Sequence, residues 1–460
     1  GASAMRTVVF DRALTPDGWC RDVLVGWEEG RIAAVIPQIG AACPATATRI
    51  CGAVVPGVGN LHAHAFQRGF AGLTERRGAG AADHFWTWRE AMYRFAAAMT
   101  PERLAAIAAM AQVEMLESGF TGVAEFHYVH HAADGRPYDQ PAEMCAAIAA
   151  AAAETGIGLT LLPVFYAHGG FGDRPIDAGQ RRFVCDLDLY GRIHEGAARV
   201  VAALPGGRVG IAPHSLRAVN GSELAELVRR HGDGPIHIHV AEQVREVEDC
   251  LAATGARPVR RLFDLAEVDR RWCLVHATHV DDDEIRRIAG AGAVAGLCPI
   301  TEADLGDGIF PAVAHRAAGG LYGVGSDSNV SISLAAELRL LEYSQRLVDR
   351  ARNRLAEPPL STGRSIFEAS VVGGARALGR ESCGIAVGAP ADLVVLDLDH
   401  PALVGRDDDA LLDSWIFAAA REPVREVWAC GRHVVADGRH TARATVEARF
   451  RRVIGELAAA

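Results

Sequence analysis

Lysine is missing altogether: all 47 basic residues of the 460-residue chain are arginine. That absence excludes Schiff-base chemistry and the P-loop lysine together. No CxxC pair occurs either. The ten cysteines stand singly, at positions such as Cys20, Cys43, Cys145, Cys250 and Cys298. In a chain of this length they read as buried thiols in a reducing compartment and not as a disulfide framework. No apolar run reaches 18 residues, and the N-terminus carries no charged-then-apolar signal segment. The formal net charge of −10 argues against a nucleic-acid footprint or an anionic membrane surface, since both attract basic patches. The expectation is a cytoplasmic protein whose partner is a small molecule, with Gly1–Ala4 a cloning remnant ahead of a native Met5.

What is present begins with hydrophobic residues, which make up 50% of a chain longer than the roughly 250–300 residues at which a single core stops growing. More than one domain is expected. The stretch Val54–Thr74 organises the rest. It opens as an apolar strand and then places His62 and His64 two residues apart. On a strand, residues i and i+2 share a face, so both imidazoles can reach one metal ion.

From Ala53 onward, strand and helix alternate. Strands are predicted at 53–61, 121–127, 159–165, 209–213, 235–240, 273–277, 293–298 and 321–326. Helices are predicted at 141–154, 221–231, 244–254, 281–290 and 331–353, with a further one after Thr100. That last helix shows the logic: Thr100 as N-cap, Pro101 at the first position, Leu104, Ile107, Ala111 and Met115 on one face, and Gly119 as the stop. Eight strand–helix units imply an α/β (β/α)₈ TIM barrel, with the active site at the C-terminal ends of the strands. A doubly wound open sheet is the structural alternative. Short strands also flank the barrel on both sides, before Pro37 and after Ala377. They are expected to pair into one small β-sandwich domain, dividing the chain into 5–55, 56–380 and 381–460, with a closing helix from Val446 to Leu457.

Histidine marks nearly every predicted strand end: His62 and His64, His127, His168, His214, His237 and His239, and His276, with Asp327 on the eighth strand. Any one of these could be a satisfied core residue. Six strands in register ending this way point to a metal-centred site.

The series HxH, His, His and Asp, with GlySerAspSer at 325–328 and GlyAlaProAlaAspLeuValValLeuAsp at 388–397, resembles the amidohydrolase superfamily over nearly the whole chain. The resemblance implies that His62, His64, His239 and Asp327 hold a divalent metal ion. It also implies that Glu242 and His276 form the proton-transfer and polarising pair, with Asp327 the base. Some members of the superfamily bridge two metals through a carboxylated lysine. Without lysine, one metal is expected here, Zn²⁺ first, although His and carboxylate ligands also suit Fe²⁺ and Mn²⁺. The competing structural roles are a helix cap for Glu242 and an outer-shell partner of a histidine ligand for Asp327.

Residues 60–75 and 85–93 further resemble the branch of that superfamily that deiminates N-formimino-L-glutamate in histidine degradation. The continuation HisAlaPheGlnArg at 64–68 departs from that of related base deaminases. A dicarboxylate substrate and a homodimer are implied. Arg89, Tyr128, His214 and Arg217 become the carboxylate clamp, with Gln67 near the formimino group, and Arg89 could come from either subunit. A nucleobase or S-adenosylhomocysteine-type deaminase is the alternative within the fold, and a barrel that has lost catalysis is the alternative outside enzymology. The cytidine-deaminase fold is excluded, because ProCysXaaXaaCys is absent and ProIleThrGlu follows Cys298 instead.

Overall fold

Gly57 divides what the sequence presents as one strand. In the computed structural model, which describes residues 4–80 and 82–460, Thr48–Pro56 pairs into a terminal sheet and Val58–Ala63 is the first barrel strand. A side chain at Gly57 would run into Thr121 on the second strand, so the chain turns into the barrel where it carries none. The predicted strand 53–61 is therefore two strands. Of the leading Gly1–Ala4, only Ala4 lies among the described residues.

The remaining barrel strands are Phe120–His127, Gly158–Phe165, Arg208–Val209 with Ala212–Pro213, Ile236–Val240, Trp272–His276, Val294–Leu297 and Leu321–Val324. All pairings between them are parallel. Two bridges close the ring, Ile211 to Ile236 and Ala63 to Asp327. The second is reinforced where Asp327 N donates to His62 O at 2.8 Å and His64 N donates to Asp327 O at 3.0 Å. Strands one and eight approach here so closely that a Cβ on Gly325 would sit 2.7 Å from His62 O. Glycine is the residue that lets Asp327 meet the histidines of strand one.

The helix after Thr100 runs Pro101–Ser118, with the Thr100 side chain accepting from Arg103 N and Gly119 left-handed at φ 106. It buries Leu104, Ile107, Ala111 and Met115 against the barrel, and each large apolar side chain so buried contributes about 1.5–3 kcal/mol. Leu187–Ala202 and Thr362–Ala377 are helices where none was predicted. The first is capped by Asp186 and has apolar residues at helical spacing, so its signal was present in the sequence. The second is buried around most of its circumference and carries Gly373 and Gly374, so no amphipathic period marks it.

The terminal strands form one eight-stranded sheet, joined where Leu393–Leu396 runs antiparallel to Thr48–Pro56. Its far strand, Arg31–Ile36, folds back so that Ile32 N donates to Ala389 O at 2.9 Å. The sheet thus encloses its own core, with Phe10, Trp27 and Trp428 at the centre, as a sandwich would. The closing helix spans Arg443–Ala459 and packs on Pro101–Ser118. Among the described residues, no helix is long and apolar enough to cross a membrane. The cysteines are all free, but only five are buried; Cys51 is exposed and Cys20, Cys43, Cys383 and Cys430 are half-buried, which corrects the expectation of uniformly buried thiols.

Candidate active site

The Nε2 atoms of His62, His64 and His239 converge on one point at the mouth of the barrel. His62 lies 3.1 Å from His64 and 3.1 Å from His239. Asp327 Oδ1 completes the group, 3.3 Å from His62 and 3.2 Å from His64. With metal–donor bonds of ~2.1 Å, these separations correspond to angles of roughly 95–105° at a shared ion. The tautomers suit this too. His64 Nδ1 lies 2.9 Å from Phe126 O, a contact that takes the ring proton and leaves the Nε2 lone pair facing inward. Burial holds His62 down to about 3 and His239 well below its ordinary value, so both rings are neutral and can donate. Asp327 meets the inward Nε2 atoms and not an outer Nδ1, so its position is that of a fourth donor beside the histidines.

Backbone strain collects at the same strand ends. Ala241, His276, Ala277 and Asp327 all have positive φ, at 55, 71, 46 and 45°, a region L-residues occupy only when surrounding bonds compel it. Two such bonds are Ala277 N to Val240 O at 3.0 Å and Ala241 N to Glu246 Oε2 at 2.6 Å.

His276 connects the donor group to a chain of carboxylates. Its Nε2 is 3.3 Å from Glu242 Oε2 and 3.4 Å from Asp327 Oδ2, while its Nδ1 is 2.9 Å from Glu302 Oε2. Burial alone would depress this imidazole, but Glu242, Glu302 and Asp327 outweigh it and raise it to about 10. Burial pushes the Glu242 carboxyl above its ordinary range against the pull of His276. Asp327 is held well below the usual carboxylate range because His62, His64 and His276 outweigh its burial. Glu242 caps no helix. Gln243 is the N-cap of the following helix, Val244–Thr254, and Glu246 reaches back to the backbone N–H groups of Ala241 and Glu242.

A cavity of about 560 Å³ opens over this cluster. It is lined by each residue expected to bind metal, move protons or clamp the substrate except His62, which is fully buried behind it. Gln67 Nε2 donates to Tyr128 Oη at 2.9 Å, and its own Oε1 is buried without a partner. His214 pairs through Nδ1 with Ser215 Oγ at 2.9 Å and is held neutral by burial and by Arg217. Arg89, from helix Phe85–Ala97 of this same chain, and Arg217 face the cavity. Neither guanidinium pairs with a carboxylate among the described residues, and the Nε of each is buried without a partner.

Three of the strand-end histidines are elsewhere. His127 is buried away from the cluster with Nε2 unpartnered, and burial keeps it neutral at about 3. His237 bonds Ala377 O at 2.7 Å, and His168 bonds Glu223 at 2.8 Å. Alternation along a strand explains the pair at the fifth: His239 points into the barrel mouth, and its neighbour at i−2 sits one layer deeper, against the helix that carries Ala377. Glu302 and Asp307, both on the segment after strand seven, went unread in the sequence. Asp307 accepts from Gln243 and stands beside Glu242 and His276. Tyr93, Tyr166 and Phe183 complete the apolar wall.

A (β/α)₈ barrel with a terminal sheet and a His–His–His–Asp cluster at its mouth defines the class. The chain belongs to the amidohydrolase family, whose sequence signature spans residues 53–434. It is 49% identical over 457 residues to the formimidoylglutamate deiminase of Pseudomonas aeruginosa, covering 98% of this chain and 100% of that protein. The crystal structure of an amidohydrolase from Brucella melitensis superposes with a TM-score of 0.95 at 50% identity, covering 98% of this chain and 99% of that one. An adenosine deaminase from Xanthomonas campestris, solved with bound zinc, shares the fold at a TM-score of 0.82 and 24% identity, covering 99% and 98%.

Proposed function

We propose that this protein is a metal-dependent hydrolase that converts N-formimino-L-glutamate and water to N-formyl-L-glutamate and ammonia. The observation that carries the reading is the pair of guanidinium groups, Arg89 and Arg217, neither ion-paired to a carboxylate among the described residues, facing the donor cluster across one cavity. A substrate with an amidine at one end and carboxylates at the other matches that polarity. A neutral base would leave a buried Arg217 and a half-buried Arg89 without an anion.

His62, His64, His239 and Asp327 would hold one divalent ion, and the all-nitrogen-and-carboxylate donor set suits Zn²⁺. Such an ion supplies a nucleophile from water at neutral pH. Asp327, ionised and with Oδ2 directed at His276, accepts the water's proton. Glu242 retains a proton because burial favours its neutral form, and it delivers that proton to the departing nitrogen. His276 lies between the two and stabilises charge developing on the tetrahedral carbon. On the protonated amidine the C–O bond forms first; the C–NH₂ bond then breaks, its nitrogen leaving as ammonia with the proton from Glu242, and the new hydroxyl returns its own proton to Glu242 as the formyl carbonyl forms. Gln67, with a free Oε1 beside Tyr128, faces the formimino N–H groups, while His214 and Tyr128 join the two arginines on the carboxylates.

The test is ammonia release from N-formimino-L-glutamate by zinc-loaded protein, run beside guanine, cytosine and S-adenosylhomocysteine. Release from the first alone is expected. Release only from a base would discard the clamp while keeping the metal site. The same reading makes the protein a cytoplasmic homodimer in histidine degradation, and light scattering on the purified protein tests the dimer.

A further inference from the structure

At the edge of the catalytic cavity, three guanidinium groups surround a single indole. The Cζ atoms of Arg89, Arg217 and Arg245 lie 4.8, 5.3 and 4.7 Å from the ring centroid of Trp86. They come from separate parts of the chain: Arg89 one turn beyond Trp86 on helix Phe85–Ala97, Arg217 from the loop after strand four, and Arg245 from helix Val244–Thr254 after strand five. A second cavity of about 780 Å³ adjoins the first through Arg89 and Arg217. It is lined by Trp86, Arg174 and Arg245 as well, with Asp249 as its one carboxylate.

The charge balance of this vestibule is lopsided. Asp249 lies 3.7 Å from Arg245, and both side chains are more than half exposed, so the pair leaves most of the charge uncompensated. Arg245 also occupies the first turn of its helix, where the macrodipole opposes a cation. Cation–π attraction to Trp86 offsets part of that repulsion, and an anion would offset the rest. Arg245 and Arg174 line this outer cavity and not the catalytic one, so an anion entering through it meets them before it reaches the donor cluster.

We infer that Trp86 is a positioning residue that holds the Arg89 and Arg217 guanidinia in place, and that Arg245 with Arg174 forms an outer anion-capture subsite that passes a dicarboxylate inward to them. The inference rests on the proposed deimination of a dicarboxylate. Its chemistry is electrostatic capture: a cleft lined by one sign of charge raises the local concentration of the opposite ion, and salt abolishes the gain.

The experiment compares wild type, Arg245→Gln, Trp86→Leu and Trp86→Phe on N-formimino-L-glutamate over a range of salt concentrations. Arg245→Gln should raise KM about three- to tenfold at low ionic strength with kcat held, and should converge on wild type at high salt. Trp86→Leu should raise KM roughly tenfold at every salt concentration, and Trp86→Phe, which keeps a π-face, should recover most of the loss. An Arg245→Gln salt profile that tracks wild type overturns the capture subsite. A KM unchanged in Trp86→Leu, or equally raised in both Trp86 variants, overturns the positioning role. Wild-type protein that releases no ammonia from this substrate fails the proposed function instead. Calorimetric titration of glutarate into wild type and Arg245→Gln then decides the subsite: weaker binding to the variant upholds it and equal binding removes it.

Discussion

Glu302 Oε2 stands 2.9 Å from His276 Nδ1 and accepts the backbone N–H of Cys298 at 2.8 Å, tying strand six to the segment after strand seven. That contact fixes which edge of the imidazole is turned toward Glu242 and Asp327. Glu302→Gln keeps the shape and removes the charge, so His276 loses one of the three carboxylates that hold it protonated. Activity should fall by about 10–100-fold, the usual cost of losing an outer-shell partner, with metal content unchanged. Kinetics and metal analysis on the same preparation check both halves, and full activity would show that Glu302 serves the helix start alone.

Asp327 has a stricter role, because one oxygen meets the histidine donors while the other meets His276. In the proposed mechanism, Asp327→Asn removes a ligand charge and the base in one step. Turnover should drop by at least roughly 10²–10⁴, the contribution of general acid–base catalysis alone, and bound metal should fall with it. Near-normal activity would take Asp327 out of the mechanism.

The cluster of side chains at the barrel mouth was legible for a geometric reason. Residues at the C-terminal ends of barrel strands point into one mouth whatever the chain does between them, so the order of strands predicts a spatial cluster. His62, His64, His214, His239, His276 and Asp327 are all of this kind. Glu302 and Asp307 are not: they sit in a helix and turn after strand seven, and their partners His276 and Gln243 are far away in sequence, with no local pattern linking them. His127 and His237 failed in the opposite sense. His127 ends its strand on the face turned from the mouth, which a strand bounded to within one residue does not reveal, and His237 shares the face of His239 but lies one layer deeper, at the second residue of Ile236–Val240. The fold shows the same division: capped, amphipathic Pro101–Ser118 announces itself, whereas Thr362–Ala377, buried around most of its surface, does not.

Arg217 is buried at 9% exposure and faces the cavity without an acidic partner. Arg217→Ala should therefore weaken binding of the dicarboxylate by about 1.5–3 kcal/mol, the range for a hydrogen bond to a charged group. The loss should appear in KM, with a smaller change for an amidine that lacks the side-chain carboxylate. Unchanged kinetics would remove Arg217 from the clamp and leave the charge of the cavity unexplained.

Glu337 offers a test of pH-linked stability away from the metal donors. It lies fully buried on helix Leu334–Asp349, with one oxygen accepting from Ile300 N at 2.9 Å and the other without a partner. Burial, with Glu302 and Asp327 adding to it, holds its carboxyl well above the usual range. The folded protein therefore keeps a proton that the unfolded chain releases at about 4.3. Because the native state binds more protons, the stability associated with neutral Glu337 is fully present below that value and is lost as pH rises toward the folded one. Glu337→Gln, uncharged at every pH, should remove this part of the slope. Its stability relative to the parent should climb as pH increases from about 5 to 8 and level off below about 4. Urea denaturation of both proteins across that range measures the difference, and parallel stability curves would mean that Glu337 is already ionised in the native state.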